Sequence, residues 1–167
     1  MHARIVKPRY GPEIVIRPLR HGDTATVQAV FERLGEDSRR TRFNGAKPRL
    51  GEKELRWLAA VDAKHHALVA YVGGDPAPVA IARFFRFGGS GEIAFEVADD
   101  YQGLGIGSAL TRELVADACA AGVRELTALV RSDNWAALAV LRRALGRLEL
   151  RFEGPELLVR APLAGTC

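Results

Sequence analysis

The stretch EVADDYQGLGIGSALTREL, residues 96–114, joins an apolar strand-like segment to a helix through three glycines at alternate positions. Gly103, Gly105 and Gly107 lie where the helix begins, and the first turn of a helix leaves several backbone N–H groups without partners. Together with the positive end of the helix dipole, these groups bind anions when no side chain blocks the approach. The junction therefore predicts a pyrophosphate site, to which Ser108 adds a hydroxyl donor.

Two other phosphate-binding motifs match this junction poorly. A P-loop requires GxxxxGK[ST], and no lysine follows these glycines. A Rossmann fingerprint requires GxGxxG early in a βαβ unit, whereas the spacing here is GxGxG and the turn comes late in the chain, so dinucleotide binding is a minor alternative. Glycines that serve only close helix packing are the remaining alternative.

The segments around the junction predict one α+β (mixed α/β) domain over residues 1–167, with frayed ends at about 1–11 and 163–167. Apolar alternation marks strands, and apolar residues at three- and four-residue spacing mark helices. The predicted order is a strand at 13–18, helices at 21–38 and 51–62, a meander of strands at 66–73, 78–87 and 91–98, a helix at 106–121, a strand at 123–130, a helix at 132–146 and a closing hairpin at 147–162. This order predicts helices on both faces of one sheet.

Composition and charge exclude several classes of partner. The net charge of +4 is spread over interleaved acidic and basic residues, which predicts no nucleic-acid partner. No stretch has the length and apolar character of a membrane span, and the N-terminus has no apolar signal region, so we expect a cytoplasmic protein without a membrane partner. His65 and His66 alternate along a strand and face opposite sides, so no metal site is predicted.

The segment VADDYQGLGIGSAL resembles the acetyl-CoA-binding signature Q/R-x-x-G-x-G/A of the GNAT (Gcn5-related N-acetyltransferase) superfamily. The resemblance implies acetyl-CoA as cosubstrate and a GNAT-like fold, with a mostly antiparallel sheet and a splayed parallel pair. It also implies that the backbone of Val97 and Ala98 holds the pantetheine arm. The residues whose amides would hold the pyrophosphate are Gln102, Gly103, Leu104, Gly105, Ile106 and Gly107. By the same resemblance Asn134 contacts the cofactor, although an ordinary helix N-cap explains it equally well.

Acetyl transfer to a lysine needs a base, because the amine has a pKa of about 10.4 and is protonated at neutral pH. Alternation in the strand GEIAFEVA places Glu92 and Glu96 on one face, about 13 Å apart. The resemblance implies that Glu92 is the general base, and partial burial on a central strand would raise its pKa toward the working pH. Glu96 would orient a water or bind substrate. The alternative for both is a solvated strand face.

The sequence departs from the GNAT pattern at the last helix. Many members carry a tyrosine there that protonates the leaving thiolate, and Leu141 occupies that position. The GF that usually ends this helix is replaced by ALGR. A thiol with a pKa of about 8.5 leaves readily without a side-chain acid, so the reaction remains feasible. A catalytically idle acyl-CoA-binding sensor is the alternative that these departures suggest.

The N-terminal half resembles one branch of the superfamily. The phrases IRPLRHGD, LGEDSRRTRF and VDAKHHALVAY resemble the opening of Pat-type bacterial protein lysine acetyltransferase domains. We therefore predict an N-acetyltransferase that acts on a protein lysine, with a small-molecule amine as the alternative acceptor. The sequence leaves the oligomeric state undecided between a monomer and a homodimer. Arg39, Arg40 and Arg42 form a basic cluster that would border the acceptor, unless they only solvate a helix end.

Overall fold

The structure is a computed structural model that describes residues 3–164. Within that range the chain forms one mixed sheet with helices on both faces. A 3₁₀ turn at Asp99–Tyr101 precedes the glycine junction. In chain order the strands and helices are β1 (Arg4–Val6), β2 (Ile14–Pro18), α1 (Thr24–Glu32), α2 (Glu36–Arg42), α3 (Glu52–Ala59), β3 (His65–Val72), β4 (Ala80–Phe87), β5 (Ser90–Val97), α4 (Ile106–Ala120), β6 (Glu125–Arg131), α5 (Trp135–Leu145), β7 (Glu149–Glu153) and β8 (Glu156–Pro162).

The strands within residues 3–164 lie in the order β1-β2-β3-β4-β5-β6-β8-β7. Each neighbouring pair runs antiparallel except β5 and β6, which run parallel. This parallel pair is joined only where Ser90–Glu92 faces Glu125–Thr127, and beyond those residues the two strands separate. The predicted fold class, a mostly antiparallel sheet with one splayed parallel pair, is therefore confirmed. The separation opens a slot between the C-terminal halves of β5 and β6.

Each face of the sheet packs against its own helices. On one face α4 buries Ile106, Leu110 and Leu114 at four-residue spacing, as a helix with one apolar stripe does. On the other face α1 and α3 contribute Val30 and Leu58 to a second apolar cluster. None of the helices in the described range has the length and apolar character needed to cross a membrane.

The first half of the chain differs from the sequence prediction by one extra helix. The predicted helix at residues 21–38 is two helices, because α1 ends at Glu32 and α2 begins at Glu36. Asp23 caps α1 by accepting a hydrogen bond from the backbone N–H of Thr26 at 3.0 Å. The helix α2 buries none of its residues, so it has no apolar periodicity from which it could be predicted.

The chain ends are also more ordered than the expectation of fraying suggests. Arg4–Val6 pairs with β2, and Arg4 forms ion pairs with Glu113 and Asp117 on α4. Leu163 is buried, and its N–H donates to the carbonyl of Arg124 at 2.8 Å. This edge strand has only three residues, which is too few for apolar alternation to be recognised in the sequence. Residues 1–2 and 165–167 of the predicted frayed ends lie outside the described range.

Candidate functional site

A cavity of about 260 Å³ opens at the slot where β5 and β6 separate. Its walls come from α2, the end of β5, the turn that leads into α4, and α5. The predicted anion site and the predicted pantetheine strand therefore face the same cavity.

The three glycines of the turn serve two different purposes. Gly103 and Gly105 have φ of +74° and +84°, in the left-handed region that only glycine enters without strain. Gly107 has an ordinary helical backbone, but a Cβ on it would lie 3.2 Å from Cγ2 of Val97. The glycines thus shape the turn at two positions and allow close packing against β5 at the third.

The backbone N–H groups of residues 103–108 have no hydrogen-bond partner among the residues that the structure describes. They belong to the turn and to the first turn of α4, whose N-terminus lines the cavity. Ser108 is 5% exposed, and its hydroxyl also has no partner within residues 3–164. A buried hydroxyl and a row of amides without partners at a helix N-terminus are donors of the kind that bind an anion.

The backbone of β5 presents alternate residues to the slot. Ala98 donates its N–H to the carbonyl of Val79 at 2.8 Å, on the side away from β6. Because N–H groups alternate in direction along an antiparallel strand, those of Phe95 and Val97 point to the slot side. The resemblance assigns the pantetheine arm to Val97 and Ala98. The geometry instead presents Phe95 and Val97, because the N–H of Ala98 is already occupied and its side chain is buried.

Gln102 ties the turn to its neighbours. Its side-chain amide donates to the carbonyl of Val97 and to the hydroxyl of Ser38 on α2, each at 3.1 Å. In the same region the carboxylate of Asp99 accepts a hydrogen bond from the N–H of Gly35 at 3.0 Å. Polar contacts therefore hold α2 beside the cavity, although the helix buries none of its own side chains.

Glu96 lines the cavity as part of a buried ion network. It is 6% exposed, and Oε1 accepts a hydrogen bond from Nη2 of Arg83 at 3.2 Å. Nε of Arg42 lies 3.0 Å from Oε2, an ion-pair distance at which the N–H does not point well enough for a hydrogen bond. Desolvation lowers the pKa of the fully buried Arg83 to about 10, so it stays charged at neutral pH. Both carboxylate oxygens of Glu96 therefore face guanidinium groups.

Glu92 lies on the same sheet face as Glu96 in a contrasting environment. It is exposed and, within the described residues, has neither a hydrogen bond nor an ion pair. Its register partners are Phe85 on β4 and Thr127 on β6, the last residue of β6 that pairs with β5. The two glutamates share a face as predicted. The expected partial burial of Glu92 is wrong, because its side chain is exposed.

The arginine cluster divides between the cavity and the surface. Of the three, Arg42 alone lines the cavity. Arg39 donates to the carbonyls of Pro48 and Glu32 and lies over the ring of Phe31 at 4.4 Å. Arg40 forms an exposed ion pair with Asp37. Arg39 and Arg40 therefore stabilise the loop and helix end, while Arg42 faces the site.

Two residues of the last helix have clear structural roles. The side-chain oxygen of Asn134 accepts a hydrogen bond from the N–H of Ala137 at 3.0 Å, which caps α5, and the residue also lines the cavity. Leu141, at the position where the family pattern has tyrosine, is fully buried in the core. Among residues 3–164, no three His, Cys, Asp or Glu side chains are grouped so that they could hold a metal ion.

Residues 29–146 match the Acetyltransferase (GNAT) family. The chain belongs to this family. The prediction of a GNAT-type N-acetyltransferase is thus confirmed at the level of the family, and the slot between β5 and β6 lies within the matched region.

Individual relatives support the same placement of this GNAT chain. It is 36% identical over 151 residues to Acetyltransferase Pat of Mycolicibacterium smegmatis, covering 87% of this chain and 44% of the relative. The GNAT domain of S. lividans PAT superposes with a TM-score of 0.87 at 27% identity, covering 96% of this chain and 97% of that one. The structure of yncA from Salmonella typhimurium with its cofactor acetyl-CoA superposes with a TM-score of 0.69 at 20% identity, covering 89% and 94%, which is a likeness of fold.

The GNAT site also contains residues that the sequence did not suggest. Ser38 and Tyr101 line the cavity, and the Tyr101 hydroxyl donates to Asp75 at 2.8 Å. A hydrogen bond from Arg33 is the main cause that lowers the pKa of Asp75, to about 2. Arg83 holds Glu96 from inside the core. The position of Arg83 in the middle of the apolar strand AIARFFRF, which also carries Arg86 near its end, was the one visible signal for Arg83, because a buried arginine requires a partner.

Proposed function

We propose that this GNAT domain transfers the acetyl group of acetyl-CoA to the ε-amine of a protein lysine by direct attack, with Glu92 as general base. The observation that carries the proposal is the row of backbone N–H groups at residues 103–108, which have no partner within residues 3–164 and belong to a turn that lines the cavity beside the splayed parallel strand pair. A diphosphate satisfies such groups without any lysine or metal.

The residues around the cavity fit acetyl-CoA along its length. The amides of residues 103–108 and the unpartnered hydroxyl of Ser108 suit the pyrophosphate. The outward N–H groups of Phe95 and Val97 suit the pantetheine arm and the thioester. An N–H group directed at the thioester carbonyl stabilises the negative charge that develops on its oxygen during attack.

The two glutamates of β5 are suited to different tasks. Glu92 is exposed and unpartnered within residues 3–164, so its carboxylate is free to accept a proton from an incoming ammonium, directly or through water. Glu96 is engaged by Arg42 and Arg83, so it orients these guanidinium groups at the cavity wall. We therefore assign Glu92 as the base and Glu96 as a positioning residue.

The leaving thiolate departs without a side-chain acid in this proposal. Leu141 is buried and apolar, and the hydroxyl of Tyr101 already donates to Asp75. A thiolate, whose conjugate acid has a pKa of about 8.5, is stable enough to leave and take its proton from water.

A protein lysine is the acceptor that the resemblance of the N-terminal half to Pat-type domains favours. The 36% identity to Acetyltransferase Pat supports this choice, although this chain spans less than half of that relative. The exposure of Glu92 also supports a large acceptor, since a folded protein can present a lysine to an open surface. A small-molecule amine is the second acceptor class, and an idle acyl-CoA-binding sensor is the alternative without catalysis.

The test uses a lysate incubated with the full chain and isotopically labelled acetyl-CoA, followed by mass spectrometry. Labelled lysines in folded proteins would support the proposal, whereas label found only in small amines would identify the second acceptor class. Binding of acetyl-CoA without label on any amine would establish the sensor.

Glu92→Gln in the same assay tests the base. We expect the transfer rate to fall by at least about a hundredfold while the Kd for CoA, measured by calorimetry, changes little. Glu153→Gln, an exposed glutamate on β7, is the matched control and should keep the full rate. An unchanged rate for Glu92→Gln would remove the general-base assignment.

A further inference from the structure

Three aromatic rings form a stack on the sheet face that carries Glu92. The ring of Phe85 lies against those of Trp57 and His65, with centroid separations of 4.7 Å and 4.2 Å and interplanar angles of 13° and 23°, and the Trp57 and His65 centroids are 6.3 Å apart. Trp57 projects from α3, whereas Phe85 and His65 are register partners on β4 and β3. The stack therefore joins the helix layer to the sheet.

The stack lies beside the proposed base. Phe85 is the register partner of Glu92 across β4 and β5, and side chains at paired positions lie about 4.5–5.5 Å apart at Cβ on the same face. Trp57 covers Phe85 from the α3 side, yet 58% of its surface is exposed. A large aromatic face is thus open to solvent next to an unpartnered carboxylate.

In the described part of the chain, no cationic side chain pairs with Glu92 or lies over the rings of Trp57 and Phe85. Guanidinium or ammonium groups lie over the rings of Tyr10, Tyr71, Tyr101, Phe31 and Phe43, but none within residues 3–164 lies over Trp57 or Phe85. Burial lowers the pKa of His65 to about 4, so the third ring is neutral at physiological pH. The rings and Glu92 therefore lack the cation that both attract.

We propose that the exposed ring of Trp57, supported by Phe85, forms the recognition face for the alkyl-ammonium side chain of the acceptor, with Glu92 at its charged end. This inference rests on the proposed acetylation of lysine and makes Trp57 a residue that determines acceptor specificity. The methylene groups of a lysine pack on an aromatic face, and its ammonium is attracted both by the ring electrons and by the carboxylate. An acceptor without a positive charge would gain only the packing contribution.

The chain offers a direct spectroscopic test, because its two tryptophans, Trp57 and Trp135, give two indole N–H signals. Trp135 begins α5 and is 69% exposed, so it is a matched internal control. The full chain is saturated with CoA and titrated with Nα-acetyl-lysine N-methylamide, and Trp→Phe variants assign the two signals. We expect the Trp57 signal to shift and saturate while the Trp135 signal stays in place.

The uncharged analogue Nα-acetyl-norleucine N-methylamide should bind about tenfold more weakly. A Trp57 signal that does not respond to the lysine compound, or equal affinities for the two compounds, would overturn the inference. Tighter binding of benzylamine than of the lysine compound would also overturn it, in favour of an aromatic acceptor. If Trp57 responds but the lysate assay labels no lysine, the proposed function fails and the ammonium site stands.

Kinetics provide a second measurement on the same face. Trp57→Ala should raise the KM for a lysine peptide about tenfold, with little change in kcat or in the Kd for CoA, while Trp57→Phe should keep most of the wild-type KM. Phe152→Ala on β7 removes an aromatic side chain that is 75% exposed elsewhere and should change none of these values. An unchanged KM in Trp57→Ala would contradict the inference.

Discussion

The two sides of the slot are formed by different groups, backbone N–H groups on one side and charged side chains on the other. On the cofactor side, consecutive residues from 103 to 108 offer backbone N–H groups without a partner in the described residues, and Gly103 and Gly105 give the turn its left-handed backbone. On the acceptor side, Arg42, Arg83 and Glu96 come from α2, β4 and β5 and meet through buried charges. In the proposed function, a cosubstrate that is the same in every reaction is thus held by backbone groups, whereas the wall assigned to the acceptor depends on side chains that can change one at a time.

Removing one charge from the acceptor side should have the largest effect on stability. Glu96→Ala leaves the fully buried Arg83 without its carboxylate, and we expect the free energy of unfolding to fall by about 3–5 kcal/mol. Chemical denaturation of the two proteins measures the difference. Glu52→Ala breaks an exposed ion pair with Arg56 and should cost no more than about 0.5 kcal/mol. Similar losses in both variants would mean that the buried ion network contributes no more to the free energy of unfolding than an exposed ion pair.

A carboxylate placed on the cofactor side should abolish binding rather than folding. Gly105→Glu adds a negative charge to the turn that carries the free amides, with its Cβ 3.5 Å from the backbone nitrogen of Arg9, and we expect the Kd for CoA to rise by at least about a hundredfold in a calorimetric titration. Gly154 also has a positive φ, of +63°, in the β7–β8 turn, so Gly154→Glu introduces the same backbone strain away from the site. Full CoA affinity in Gly105→Glu would exclude these amides as the pyrophosphate site.

The contrast between the two sides also explains what the sequence could predict. The glycine turn and the start of α4 were predictable because the turn is local and its glycines stand three in five positions. The pairing of Glu96 with Arg42 and Arg83 was not, because it requires α2, a helix without an apolar stripe, to lie over β5. The exposure of Glu92 was missed for a related reason, since a strand pattern shows which face a residue occupies but not whether a helix covers it.

Acid should lower the free energy of unfolding through His65, a neighbour of the buried Arg83. Burial, with a smaller contribution from the nearby charge of Arg83, lowers its pKa from 6.5 to about 4, so the unfolded chain takes up the proton first. This contribution to stability is complete above pH 6.5 and is lost as the pH falls toward 4. Linkage predicts a loss of about 2 kcal/mol between pH 7 and pH 5. Denaturation at several pH values measures this slope, which His65→Phe should flatten; an equal slope in that variant would assign the effect to other groups.

Asn134 tests whether a side chain also contributes to the cofactor side, because it both caps α5 and lines the cavity. Its oxygen is used by the N–H of Ala137, whereas its amide nitrogen has no partner within residues 3–164. Asn134→Ala should therefore lower the free energy of unfolding by about 1 kcal/mol through the lost cap and weaken CoA binding severalfold through the lost donor. Asn134→Ser keeps a capping oxygen without adding charge, so it should restore stability but not affinity. If Asn134→Ser instead binds CoA as tightly as the wild type, the residue is a cap alone, and the cofactor side relies entirely on backbone.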